Sequence, residues 1–242
     1  MTTGLDLQSF STTTDLAQLS GTLTETPSIA SGNGRFGGNT FYTPSVNDYW
    51  TKASVFAAQT TLYAGFAICH TAPPGDGTGC IRHVFTSGGG RQVWLGISNA
   101  GRLMVGTGLF PPILGTADRD LIPNVWNHIV FKAVIGASGS FEVWQNGQSV
   151  LSGTGATNAS GGSTADGYTM GNCYLGGATG VVGYVCDLWH ADANLGDCRI
   201  PVLRPSAEGN STMFAPSSGE DNALRVDDGN HDDDSTYVAA PT

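Results

Sequence analysis

The chain has 242 residues, 40% of them hydrophobic and only 12% charged, with 35 glycines. That balance excludes a solvated, disordered chain, and the length suits one large all-β domain or two small ones. Asp and Glu number 20 against 10 Lys and Arg, a net charge of −10, so the surface repels phosphate backbones and a nucleic-acid partner is not expected. No apolar run is long enough to span a bilayer, and residues 1–16 lack the charged-then-apolar pattern of a secretion signal. The expectation is therefore a protein with no membrane association and no export by the usual route.

In chain order, LYAGFAI (62–68) and VWLGIS (93–98) read as strands. Asn99-Ala100-Gly101 then turns the second of these into RLMVG (102–106), which makes a hairpin. WNHIVFKAVI (126–135) and FEVW (141–144) are two more strands, joined by Gly136-Ala137-Ser138-Gly139. In the first, Trp126, His128, Val130, Lys132 and Val134 share one face; Asn127, Ile129, Phe131, Ala133 and Ile135 share the other, which is the more apolar and should look inward. Asn146-Gly147 is a positive-φ turn from which 149–151 returns. The small polar stretch 154–164 reads as a surface loop, and 174–177 and 181–190 as the last strands. No capped amphipathic helix occurs; 16–23 could hold at most a short helical turn. Many short strands joined by glycine-rich turns predict an antiparallel β-sandwich.

Near residue 200 the texture changes. Pro201, Pro205, Pro216, Pro241 and the acidic run VDDGNHDDD (226–234) accompany few apolar anchors. The expected division is a sandwich over 1–200 and an extended arm over 201–242, packed on the sandwich or on a neighbouring subunit. Five cysteines, an odd number, with no C-x-x-C pair, read mainly as buried thiols, although Cys69 and Cys80 flank a Pro/Gly loop and could be bridged. Neither a metal site nor a cofactor is expected.

Trp126-Asn127-His128-Ile129 followed by Phe141-Glu142-Val143-Trp144-Gln145-Asn146-Gly147, with the earlier Arg35-Phe36-Gly37-Gly38, resembles the laminin-G-like, concanavalin A-like jelly roll. Further on come Tyr184-Val185-Cys186-Asp187-Leu188, Gly196-Asp197-Cys198-Arg199, Leu203-Arg204-Pro205, Gly209-Asn210-Ser211-Thr212-Met213-Phe214, Val226-Asp227-Asp228 and Asp232-Asp233-Asp234-Ser235-Thr236-Tyr237-Val238. In this order they resemble jelly-roll virion proteins of tailed bacteriophages, where a Trp often stands in place of Phe214. The resemblance implies a structural component decorating the capsid or tail, assembled in the cytoplasm of the bacterial host. It further implies a homo-oligomer held to other virion proteins through Arg204, Phe214, Asp227, Asp228 and Tyr237.

Concanavalin-like sandwiches also host glycosidases, which need two carboxyl groups across one cleft. The only glutamates are Glu25, Glu142, Glu208 and Glu220, and none has a carboxylate two residues away, so no enzymatic activity and no catalytic residue is expected. The run Asp227-Asp228-Gly229-Asn230-His231-Asp232 lacks the alternating ligands of a calcium loop and reads as a solvated acidic surface; Asp187 and Asp166 are weaker candidates. Sugar binding is the alternative function. It needs exposed aromatic rings beside polar groups, and Trp144, with Glu142 on its face, and Tyr168 are the candidate contacts for a host glycan.

Overall fold

The computed structural model describes residues 22–24, 27–35, 39–45, 47–75, 79–108, 112–159, 161–173 and 182–192. It also describes the strand backbone at 4–8, 202–205, 211–214, 223–226 and 236–239. The chain divides into two units, Met1–Asn194 and Leu195–Thr242.

The first unit is two antiparallel sheets, with no helix among the described residues. One sheet runs in the order β13 (Gln148–Gly155), β12 (Gly139–Gln145), β11 (Asn127–Val134), β6 (Thr61–His70), β15 (Gly183–Ala191), β4 (Thr40–Thr43) and β3 (Ser28–Ala30). An eighth strand, β1 (Gly4–Gln8), also pairs with β15. The other sheet runs β10 (Ile113–Asp120), β9 (Arg102–Thr107), β8 (Gly90–Ile97), β7 (Cys80–Ser87), β14 (Gly167–Cys173), β5 (Tyr49–Lys52) and β2 (Thr22–Thr24). This is the expected all-β jelly-roll sandwich.

Two-residue alternation builds its core. Leu62, Ala64, Phe66 and Ile68 of β6 join Ile129, Phe131 and Ala133 of β11 and Phe141 and Val143 of β12 in one buried layer. Phe85, Val93, Leu95, Ile97, Leu103, Val105, Tyr168 and Met170 of the other sheet face them. Fully burying side chains of this size contributes about 1.5–3 kcal/mol each. Asn146 (φ 52°) and Gly147 (φ 80°) make the expected tight turn between β12 and β13, closed by the Gln145–Gln148 pair.

Other expectations need correction. The strand β13 runs on through Thr154 and Gly155, so the loop begins later than its polar composition suggested. Thr22–Thr24 is a strand, not the end of a helical turn, because it pairs with Thr51, Trp50 and Tyr49 of β5; residues 16–21 lie outside the described residues, as do 174–181. Cys69 lies in β6 and Cys80 in β7, strands of different sheets, and neither forms a disulfide. Cys173 and Cys186 are buried and likewise unbridged. Burial raises the Cys69 thiol and pushes Cys173 up to about 12, so neither is a ready nucleophile.

The second unit contains two hairpins. β16 (Val202–Pro205) pairs with β17 (Ser211–Phe214), and β18 (Ala223–Val226) with β19 (Thr236–Ala239). Arg204 thus pairs with Thr212, Phe214 with Val202, and Tyr237 with Arg225, while Asp227 and Asp228 lie outside the described residues.

Histidines are buried within the sandwich. His83 and His190 approach through their Nε2 atoms at 2.9 Å, one from each sheet, and Tyr168 stacks on His190 at 3.9 Å. Burial, with the mutual charge of His190, holds His83 well below its ordinary range; burial and then Lys52 bring His190 to about 3. His70 and His128 are held at about 4, by burial first and then by Arg82 and Arg35 respectively. All four are therefore neutral in the fold at neutral pH, while the unfolded chain takes up protons below about pH 6.5. Stability is complete above that pH and falls as the solution is acidified toward about pH 4, each histidine steepening the loss by about 1.4 kcal/mol per pH unit. The melting temperature should fall markedly between about pH 7 and pH 5, before most carboxylates titrate. A flat calorimetric profile over that interval would contradict the neutral, buried imidazoles.

Candidate functional site

The side chains of the eight-stranded sheet that point away from the core form its outer face, and the strand register arranges them in rows. Glu142, Lys132 and Tyr63 are paired in succession across β12, β11 and β6. The next row is Trp144, Val130, Gly65 and Trp189. His128, Ala67 and Cys186 follow, and Cys69, Tyr184 and Tyr42 complete the face toward β4. Rows of this kind run across strands about 4.8 Å apart.

Trp144 is partly exposed, as are Glu142, Lys132 and Val130 beside it. Ser149 donates a hydrogen bond to Glu142 at 3.0 Å, and the Lys132 ammonium sits 5.7 Å from the centre of the Tyr63 ring. Trp189 is only 2% exposed: its indole lies on Gly65, where a Cβ atom would come within 2.0 Å of the ring. Gly65 is thus a floor tile, needed because any side chain would occupy the place of the indole. Tyr42 and Tyr184 stack at 5.1 Å. Of these rings Tyr63 and Trp189 are buried, while Trp144, Tyr42 and Tyr184 are partly exposed. Trp144, beside the Glu142 carboxylate and the Lys132 ammonium, offers an apolar ring face together with hydrogen-bonding groups, the combination a sugar requires.

A charged group adjoins the rows. In β15, Val185 and Leu188 both face the core, three residues apart where regular alternation requires two. The register breaks between Cys186 and Trp189, and Asp187 takes φ 56°, a rare conformation for a residue with a side chain. The break falls where the partner of β15 changes from β4 (through Val185) to β1 (from Leu188). Burial raises the Asp187 carboxyl, opposed by the hydrogen bond from Cys186 at 3.4 Å and by the charge of Arg35. The Cys186 thiol is pushed up by burial and by Asp187. Arg35 acts on His128 too, whose Nε2 has no partner. Among the described residues no cluster of His, Cys, Asp and Glu could hold a metal ion.

Of the residues singled out in the sequence, Trp144 stands on this face and Tyr168 does not. Tyr168 is fully buried, edge-on to Trp50 at 5.7 Å and stacked on His190, because β14 is an interior strand paired on both sides, with β5 and β7. The sequence reading missed Arg35, Asp187 and Trp189 as members of this face. The broken alternation at 185–188 was the available signal for Asp187.

Neither a protein-family model nor a curated protein matches the sequence. Solved structures are similar in fold. An endo-β-1,4-glucuronan lyase from the fungus Trichoderma reesei has 11% identity and a TM-score of 0.52, with 72% of this chain and 92% of that one covered. The cellulose induced protein Cip1 has 15% identity and a TM-score of 0.53, covering 69% and 86%. A botulinum neurotoxin type C structure has 11% identity and a TM-score of 0.54, covering 81% of this chain and 49% of that one. At these identities the likeness defines a class by fold alone, the jelly-roll sandwiches. It also corrects the expectation of a non-enzyme: the fold is shared with a lyase, and the lack of a carboxylate pair for hydrolysis does not bear on cleavage by elimination.

Replacing Gly65 by Val should lift the Trp189 indole from the sheet. The expected cost is about 1–3 kcal/mol, the usual penalty of overpacking, read from denaturant unfolding with a shift in tryptophan emission. Unchanged stability and emission would contradict the close approach of indole and backbone.

Proposed function

We propose that this chain is a carbohydrate-binding jelly roll that holds a polysaccharide along the outer face of its eight-stranded sheet. The observation that carries the reading is the partly exposed Trp144, paired with Val130 and one row from the Glu142–Lys132 pair. An aromatic platform beside hydrogen-bonding groups is the arrangement that sugar rings require. The fold agrees with it: one similar structure is a glucuronan lyase, and another is a neurotoxin whose cell entry depends on two ganglioside molecules.

A second reading places the domain on a bacteriophage particle, as an adhesin or decoration protein. It rests on the succession of C-terminal motifs, with Arg204, Phe214 and Tyr237 as assembly contacts in the paired strands β16, β17 and β19. The two readings are compatible, the sandwich engaging glycan and the second unit engaging the particle.

The test is binding of the purified protein to a panel of neutral and acidic polysaccharides, with Trp144→Ala as the variant. Loss of a central aromatic contact costs about 2 kcal/mol or more, so affinity should fall at least about 30-fold while the unfolding transition is unchanged. Incubating the same polysaccharides and measuring new chain ends reads turnover directly. Binding that survives Trp144→Ala would remove this face as the site; no binding across the panel would overturn the reading.

A further inference from the structure

Four buried polar atoms converge at one place between the sheets and none has a partner. They are Nε and Nη2 of Arg82 and both ring nitrogens of His70, on side chains 1% and 0% exposed. Arg82 leaves β7 at the register break between Ile81 and His83. Its guanidinium reaches the opposite sheet and rests on Gly183, where a Cβ would come within 2.6 Å of Nη2 and 3.2 Å of the guanidinium carbon. Gly183 is paired with His70 on one side and Thr43 on the other, so the cation lies between these two inward side chains. Nη1 donates to Asn172 Oδ1, and to Thr43 Oγ1 at 3.4 Å. Among the described residues no carboxylate forms an ion pair with it.

The pattern of what is bonded and what is open is specific. Nη1 is occupied by two neutral acceptors. Nε–H and Nη2–H lie side by side along one edge of the planar group, the edge that meets both oxygens of a carboxylate at once. Water could accept from either N–H but would leave the positive charge unanswered in the interior, where an unpaired ion is costly. His70, neutral because burial and Arg82 hold it at about 4, keeps one N–H to donate and one nitrogen to accept.

We propose that the Nε–Nη2 edge of Arg82, flanked by the His70 imidazole, binds a small carboxylate anion within the sandwich. The acid is of formate or acetate size, since both side chains are enclosed and neither reaches the surface. The site is independent of the glycan face and stands or falls without it. Gly183 serves it by letting the guanidinium lie against the backbone of β15.

The test is a titration of the full chain with sodium formate at constant ionic strength, sodium chloride making up the balance. The Arg82 side-chain Nε–Hε resonance is followed by NMR and the melting temperature recorded. The expected result is a saturable downfield shift of Hε with a parallel rise in melting temperature, absent in Arg82→Gln. Arg82→Lys, which keeps the charge and loses the edge, should weaken the response about tenfold or more. An unmoved Hε resonance in the native chain means that water alone fills the space, and overturns the proposal whether or not the variants fold. A saturable shift with glucuronate and none with formate would overturn it too, because the ligand would then be larger than the site described.

Discussion

The contact between the two sheets is aromatic, and the rest of the structure takes its register from it. Phe131 of β11 stacks on Phe85 of β7 at 5.5 Å, Phe66 of β6 on His83 at 5.9 Å, and Tyr168 of β14 on His190 of β15 at 3.9 Å. The His83–His190 hydrogen bond stitches the same layer. Because side chains alternate along a strand, fixing Phe66, Phe131 and Val143 inward fixes Gly65, Val130 and Trp144 outward. A slip of one residue in β11 would exchange the core for the outer face. The outer platform is therefore a consequence of core packing, and its aromatic row needs no separate positioning device beyond Gly65.

How far the sequence revealed this depends on burial on the two sides of each strand. β11 and β12 have one buried and one partly exposed face, their residues alternate in polarity, and both strands, their inward residues and the Asn146-Gly147 turn were legible. β14 is buried on both faces along its whole length, so GYTMGNC shows no alternation, and Tyr168, a candidate for an exposed glycan contact, is a core ring. β7 has no strand signal for a related reason: Arg82 and His83 stand in its middle, yet both are enclosed. In the candidate site, Trp144 and Glu142 could be placed from a two-residue spacing alone. Arg35, His128 and Asp187 are brought together by a bulge and by strands far apart in sequence, and no spacing rule joins them.

The low charge count found in the composition has a structural counterpart. With only 10 Lys and Arg in the chain, cations placed in enclosed positions are a notable share of the supply. Arg82 and Lys52 are 1% and 7% exposed. Such placements are unfavourable unless something answers them. Lys52 has the face of Trp50 at 5.3 Å, whereas the guanidinium of Arg82 has only neutral oxygens on one of its nitrogens. The neighbouring histidines adapt instead by remaining neutral, which makes the fold sensitive to acid without any of them being an ion-pair partner.

The same reasoning separates what the fold says about function from what the face says. A jelly roll is shared by proteins of different activities, and likeness near 11% identity does not choose among them. The absence of paired glutamates argues against a two-carboxylate hydrolase and against nothing else. What distinguishes this chain is local: a tryptophan partly open to solvent, one row from a paired carboxylate and ammonium. The proposed glycan contact rests on those groups, an aromatic face beside hydrogen-bonding charges. The choice of groups on the face, more than the shape beneath it, is what argues for a glycan.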